Sequence, residues 1–227
     1  MFRSAWREPS AILLAAQLGG VLVYPFMEGS AVGRALFSVF GIAILALVVL
    51  AVRSSAASTW LGVLLGLPAT VLLLIQAITG DDAFLPYSSA LEAVLYFYAA
   101  AALIGYMLAD HVITRDELFA VGATFTLVAW AFAYSFTVCQ AIEPNSFTAA
   151  IDAQDDRTWM ELLFLSFTTL TSTGLSDVTP VKPFARSIVM LEQLAGLAYV
   201  AMVVSRLVGL MVLGRAGGVS AKDGETP

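Results

Sequence analysis

Of the 227 residues, 59% are hydrophobic and 12% charged, about half the charge of a soluble domain, and apolar runs repeatedly reach the roughly 20 residues that cross a bilayer. The chain therefore reads as an all-α, polytopic integral membrane protein, and its net charge of −6 has to be read loop by loop, not as a sign of soluble or nucleic-acid partners. A single cysteine, Cys139, excludes an internal disulfide, and a single histidine, His111, cannot supply a zinc cluster.

In chain order, Arg3 and Arg7 precede a first apolar segment at 11–27, too long for the hydrophobic core of a signal peptide and without a small-residue cleavage site. Further spans are expected at 31–52, at 57–79 with Pro68 as a kink, at 87–109, at 116–142 and at 184–213, six in all. Residues 1–110 form a four-helix membrane domain, 116–213 a second unit, and 214–227 a short, polar, Gly-rich tail that cannot bury a core, so no soluble regulatory domain is expected in the chain. With both termini in the cytoplasm, Arg3, Arg7, Arg53, Arg115, Arg206, Arg215 and Lys222 lie inside and Arg34, Arg157, Lys182 and Arg186 at the outer face. That bias follows the positive-inside rule. The fourth span has no Arg or Lys with which to sense the membrane field, and its one acid, Glu92, either reaches the outer surface or bonds a neighbouring helix.

Between the last two spans stands Trp159 to Leu170, mostly apolar and too short to cross a bilayer, followed by Thr171-Ser172-Thr173-Gly174-Leu175-Ser176-Asp177. Half-helix, polar loop, full helix is an order suited to a re-entrant pore helix that presents backbone carbonyls to an ion, for which Gly174 offers the needed backbone freedom. The bland reading of the heptapeptide is a polar turn between two helices. Thr-Thr-Leu-Thr, then Gly174, then Asp177-Val178-Thr179-Pro180 resembles the pore signature of the potassium channel superfamily, whose pattern is Thr-Thr-Val-Gly-Tyr-Gly-Asp; the segments 183–187 and 205–210 also resemble the inner helix of bacterial members with two pore-forming helices.

The resemblance implies a tetramer of identical chains around a central pore in the bacterial inner membrane, with a permeant cation, potassium or sodium, and no other cofactor. Ser172, Thr173, Gly174, Leu175, Ser176 and Asp177 become the filter, with the carbonyls of Ser172, Thr173 and Gly174 as ion ligands. Thr168 and Gln193 become filter supports, and Gly196 is either a gating hinge or a point of close helix contact. Glu192 is expected to pair with Arg186. The sequence departs from the pattern where Thr173 replaces Val, Leu175 replaces Tyr and Ser176 replaces the second Gly. A non-glycine residue in the left-handed region costs roughly 1–2 kcal/mol, so Ser176 either strains the outer filter or abandons the family geometry, and potassium is favoured only weakly. The alternative is a channel-like protein with a collapsed, non-conducting filter. Asp152, Asp155, Asp156 and Asp177 would concentrate cations at the mouth. An intramembrane enzyme lacks its motifs: neither His-Glu-x-x-His nor Gly-x-Ser-x-Gly occurs.

Overall fold

The computed structural model describes residues 9–27, 40–48, 50, 59–79, 82–109 and 114–223. Helices α1 (Pro9–Met27), α2 (Thr59–Thr79), α3 (Leu85–Leu108), α4 (Arg115–Ile142), α5 (Trp159–Leu170) and α6 (Pro183–Asp223) carry nearly all of it, with a 3-10 turn at Asp82–Phe84 ahead of α3. Five of them, all but α5, are long and apolar enough to cross a membrane. Of the expected span at 31–52, residues 40–48 and 50 are helical and Ile44, Leu45 and Val48 are buried in the main core; the rest of that span, the 110–113 connection with His111, and residues 1–8 and 224–227 lie outside the described residues.

The local sequence accounts for where the helices begin. Pro86 sits in the first turn of α3, where a missing N–H costs nothing. Both α4 and α5 start with Thr-x-x-Glu, and both close a reciprocal capping box, Thr114 with Glu117 and Thr158 with Glu161, satisfying two otherwise orphan N–H groups each time. Pro68 does not interrupt α2. The expected boundary between span and tail at 213/214 is not a helix end: α6 runs on as helix to Asp223.

The organising element is α4, which packs against α1, α3, α5 and α6. Small residues let it do so. Ala120, Ala123, Ala129, Ala131 and Ala133 are all buried along it, and Gly122 lies so close to Leu14 of α1 that a Cβ would come within 2.8 Å of the Leu14 Cδ2. At one end of the bundle, Asp116 of α4 accepts from the Ser10 N–H (3.1 Å) and hydroxyl (3.0 Å) at the start of α1. At the same end Glu117 meets Arg206 of α6 at 3.3 Å. Residues near 10, 116 and 206 thus share one face of the bundle, and the segment from 143 to 182 lies at the other. There a two-residue antiparallel pairing, Phe147 with Pro180 and Thr148 with Thr179, ties the chain before α5 to the chain after the 171–177 loop.

Burial divides the last two long helices sharply. In α4, 61% of the spanning window is buried within the chain, and in α6 22%. Over residues 183–206, the buried residues of α6 are Ala185, Val189, Glu192, Gly196 and Tyr199, spaced four, three, four and three apart, one stripe of a helix. Its opposite face shows Met190, Leu191, Leu194, Leu197, Val200, Val204 and Val208, all exposed.

Candidate functional site

The site is assembled from α5, the 171–177 loop and the first half of the spanning part of α6. At its start α5 is clamped by Arg157, whose guanidinium is buried and donates to the carbonyls of Ile151, Asp152 and Asp155 while pairing with Glu161 at 3.2 Å. The Gln140 side chain, at the end of α4, donates to the Arg157 carbonyl (2.9 Å) and accepts from its N–H (3.1 Å). Next to it, Trp159 sits among the rings of Tyr24 (5.4 Å between centroids), Trp130 (5.2 Å) and Tyr134 (5.5 Å), so α1 and α4 both hold the first turn of α5. Tyr134 also meets Glu92 of α3. Glu92 is buried within the chain, so it does not take the first of its two expected fates, reaching the outer surface.

The far end of α5 sets the loop. Ser172 N–H donates to the Thr169 carbonyl (3.0 Å), Thr173 N–H to the Thr168 carbonyl (2.9 Å), and Gly174 N–H to that same carbonyl (3.1 Å). The first two bonds, with Ser172 at φ 59°, are a Schellman cap in which Ser172 occupies the left-handed position that usually carries glycine. The sequence suggested Gly174 for this region and, at Ser176, either strain or a departure from the family geometry. The structure has Gly174 at φ 64° and Ser172 beside it, and Ser176 is not left-handed. The run of polar residues after Leu170 carries the signal of a helix end, but the left-handed position is held by serine where glycine is usual.

Peptide planarity turns these bonds into a statement about carbonyls. A trans peptide points its C=O opposite to its N–H, so the Ser172 carbonyl, which shares a peptide with the Thr173 N–H, is directed away from α5. The Thr173 carbonyl, paired with the Gly174 N–H, is directed the same way. Thr171, Ser172, Thr173, Gly174, Leu175 and Asp177 are all exposed. Thr168, Thr169, Ser172 and Gly174 share an open cavity of ≈570 Å³ with Gln193, Leu194 and Leu197 of α6, and the C-terminal, electronegative end of α5 faces it.

Among the remaining expected residues, Thr168 uses its carbonyl rather than its hydroxyl to hold the loop; the hydroxyl goes to the Leu165 carbonyl (3.0 Å). The Thr171 and Thr173 hydroxyls bond each other at 3.0 Å. Ser176 accepts from the Val178 N–H at 3.0 Å. Gly196 is buried against the last residue of α5, where a Cβ would lie 2.9 Å from the Leu170 carbonyl carbon, which is close helix contact. Glu192 does not pair with Arg186. It bonds Ser166 of α5, while Arg186 donates to the Pro180 carbonyl at 3.2 Å; the two are about one and two-thirds turns of α6 apart, on different faces, and the acid lies on the buried stripe. Cys139 packs beside Phe136 and Phe147 in a satellite core. Asp152, Asp155, Asp156 and Asp177 are exposed around the same end of the molecule as the loop.

Two full-length apolar helices that flank a 12-residue apolar helix and an exposed loop define a multi-pass helical membrane protein with its polar loop held between spans. A protein-family model described as "Ion channel" matches residues 93–212, from within α3 to within α6 and over more than half of the 227 residues. The chain belongs to this ion channel family, a family of transport proteins and not of enzymes, and one that points to an oligomeric assembly in the membrane. No curated protein and no solved structure matches it.

Proposed function

We propose that the protein is a passive channel for monovalent cations in which four copies bring their 171–177 loops around one axis. The observation that carries this reading is the convergence of the Thr173 and Gly174 N–H groups on the Thr168 carbonyl, which leaves the Ser172 and Thr173 carbonyls facing the exposed side, where oxygen ligands can replace an ion's water. One loop cannot surround an ion. The exposed apolar face of α6 from Met190 to Val208 supplies the surface by which copies meet one another. Gln193, the polar member of that face beside Thr168 and Thr169, stands at the inner mouth of the filter.

In this arrangement α5 is a re-entrant pore helix, 171–177 the filter and α6 the inner helix. Both chain ends lie in the cytoplasm, and the exposed aspartates gather cations at the outer mouth. Leu175 is 76% exposed, so its own subunit braces the outer filter little and potassium is only weakly preferred over sodium. Flux into liposomes carrying the purified protein tests this. Potassium and sodium should both pass, potassium somewhat faster, and a large organic cation should not. Absence of flux for every cation would support the collapsed filter, and a monomer in detergent by mass measurement would remove the fourfold pore.

A further inference from the structure

We infer that Glu192 is held as a neutral carboxylic acid that donates its proton to Ser166 and thereby positions α5, with the loop at its end, between α4 and α6. The inference starts from a count of protons. Ser166 Oγ lies 2.8 Å from the Ala129 carbonyl oxygen of α4 and also within hydrogen-bond distance of Glu192 Oε1. A hydroxyl has one proton and a carbonyl has none. Two oxygens 2.8 Å apart with no proton between them repel, so the Ser166 proton lies on the line to Ala129. The proton in the second bond then has to come from Glu192, with Ser166 accepting it.

The surroundings agree. Glu192 is fully buried and its Oε2 has no hydrogen-bond partner, a setting in which an ionised carboxylate is strongly disfavoured and a neutral acid, with Oε2 as its carbonyl oxygen, is not. Charged and titratable groups on the packed elements are engaged elsewhere. On α4, Asp116 holds Ser10, Glu117 holds Arg206 and Tyr134 meets Glu92, while Arg115 is exposed at the helix start. On α5, Glu161 pairs with Arg157. On α6 itself, Arg186 bonds Pro180 and Tyr199 bonds the Val121 carbonyl at 2.6 Å. No described cation is within pairing distance of Glu192.

The bond acts on the filter through α5. Ser166 lies two residues before Thr168, whose carbonyl anchors the loop, and one turn of α6 beyond Glu192 the bare Gly196 presses on Leu170. Glu192 and Gly196 together seat the last turn of α5. The placement of the proton stands independently of conduction; its consequence for ion flux rests on the filter reading.

The test uses the full-length protein in detergent and compares wild type with Glu192→Gln, Glu192→Ala and Ser166→Ala. In infrared difference spectra at neutral pH, Glu192→Gln should remove one protonated-carboxyl C=O band; loss of a carboxylate band instead overturns the inference. The glutamine amide can donate to Ser166 as the acid does, so Glu192→Gln should keep the folded-to-unfolded ratio within about twofold, whereas Glu192→Ala and Ser166→Ala lower it about tenfold or more, the effect of orphaning a buried hydrogen-bonding group. As pH rises, wild type should lose stability because unfolding releases the proton that the fold holds, and Glu192→Gln should not. A glutamine variant as unstable as the alanine variant, or one with the wild-type pH profile, overturns the positioning role. Wild-type protein that passes no ion in liposomes defeats the filter reading and leaves the infrared and stability results to decide this one.

Discussion

The two halves of the 171–177 loop are held in different ways. The first half is an extension of α5: Ser172, Thr173 and Gly174 each return an N–H to the helix end, and the Thr171 and Thr173 hydroxyls join. In the second half, Leu175 is exposed, Asp177 is exposed, and the single internal tie of Ser176 runs forward to Val178. The chain therefore fixes the carbonyls of Ser172 and Thr173 and holds Leu175 to Asp177 by fewer bonds of its own. Under the channel reading, selectivity rests on the inner half, and the outer half depends on assembly.

The comparison breaks first if the seat of α5 is disturbed. Gly196→Ala puts a methyl against the Leu170 backbone carbonyl, and because backbone cannot step aside as a flexible side chain would, it should cost about 1–3 kcal/mol or more. Thermal unfolding in detergent should show that loss, and flux should fall with it. Unchanged stability would mean that α6 and α5 are not in contact there, while normal stability with altered opening would restore the hinge. Next in size is Arg157→Met. It keeps the apolar stem of the side chain and removes the donors to the carbonyls of Ile151, Asp152 and Asp155, a loss of part-buried bonds from a charged group that costs about 1.5–3 kcal/mol. Stability should drop without a change in cation preference, since the clamp lies at the start of α5, opposite the loop.

How much of this was legible beforehand varies with the kind of interaction. Hydropathy alone marks the described spans within two residues at most ends, because apolar length is what a bilayer demands. The Thr-x-x-Glu starts of α4 and α5 are equally local and could have been read. The Schellman cap was half legible: residues 168–174 carry its turn chemistry, but serine in place of glycine at Ser172 hid it. Glu192 with Ser166 and Trp159 with three rings join residues as many as 135 positions apart. Nothing in one sequence pairs such positions. Arg186 is the near neighbour of Glu192 in the chain, yet a separation of six positions places the two on different faces of α6.

Smaller changes sharpen the contrast within the loop itself. Ser176→Ala removes the acceptor of the Val178 N–H and should cost about 0.5–1.5 kcal/mol, showing as a weaker oligomer in detergent if the outer half matters mainly after assembly. The smallest effect belongs to Ser172→Gly. Relief of the left-handed backbone of Ser172 is worth roughly 1–2 kcal/mol, and the extra freedom that glycine brings to the unfolded chain takes back about 0.5–1 kcal/mol, so the variant should be slightly more stable by denaturant unfolding. Its value lies in what it keeps. The Ser172 carbonyl and the Thr173 N–H bond survive the substitution and only the hydroxyl goes, so flux and potassium-over-sodium preference should hold if ions are bound by backbone oxygens. A collapse of flux in a protein that is no less stable would mean that the serine hydroxyl is the ligand, and that the carbonyl geometry fixed by Thr168 is not what selects the ion.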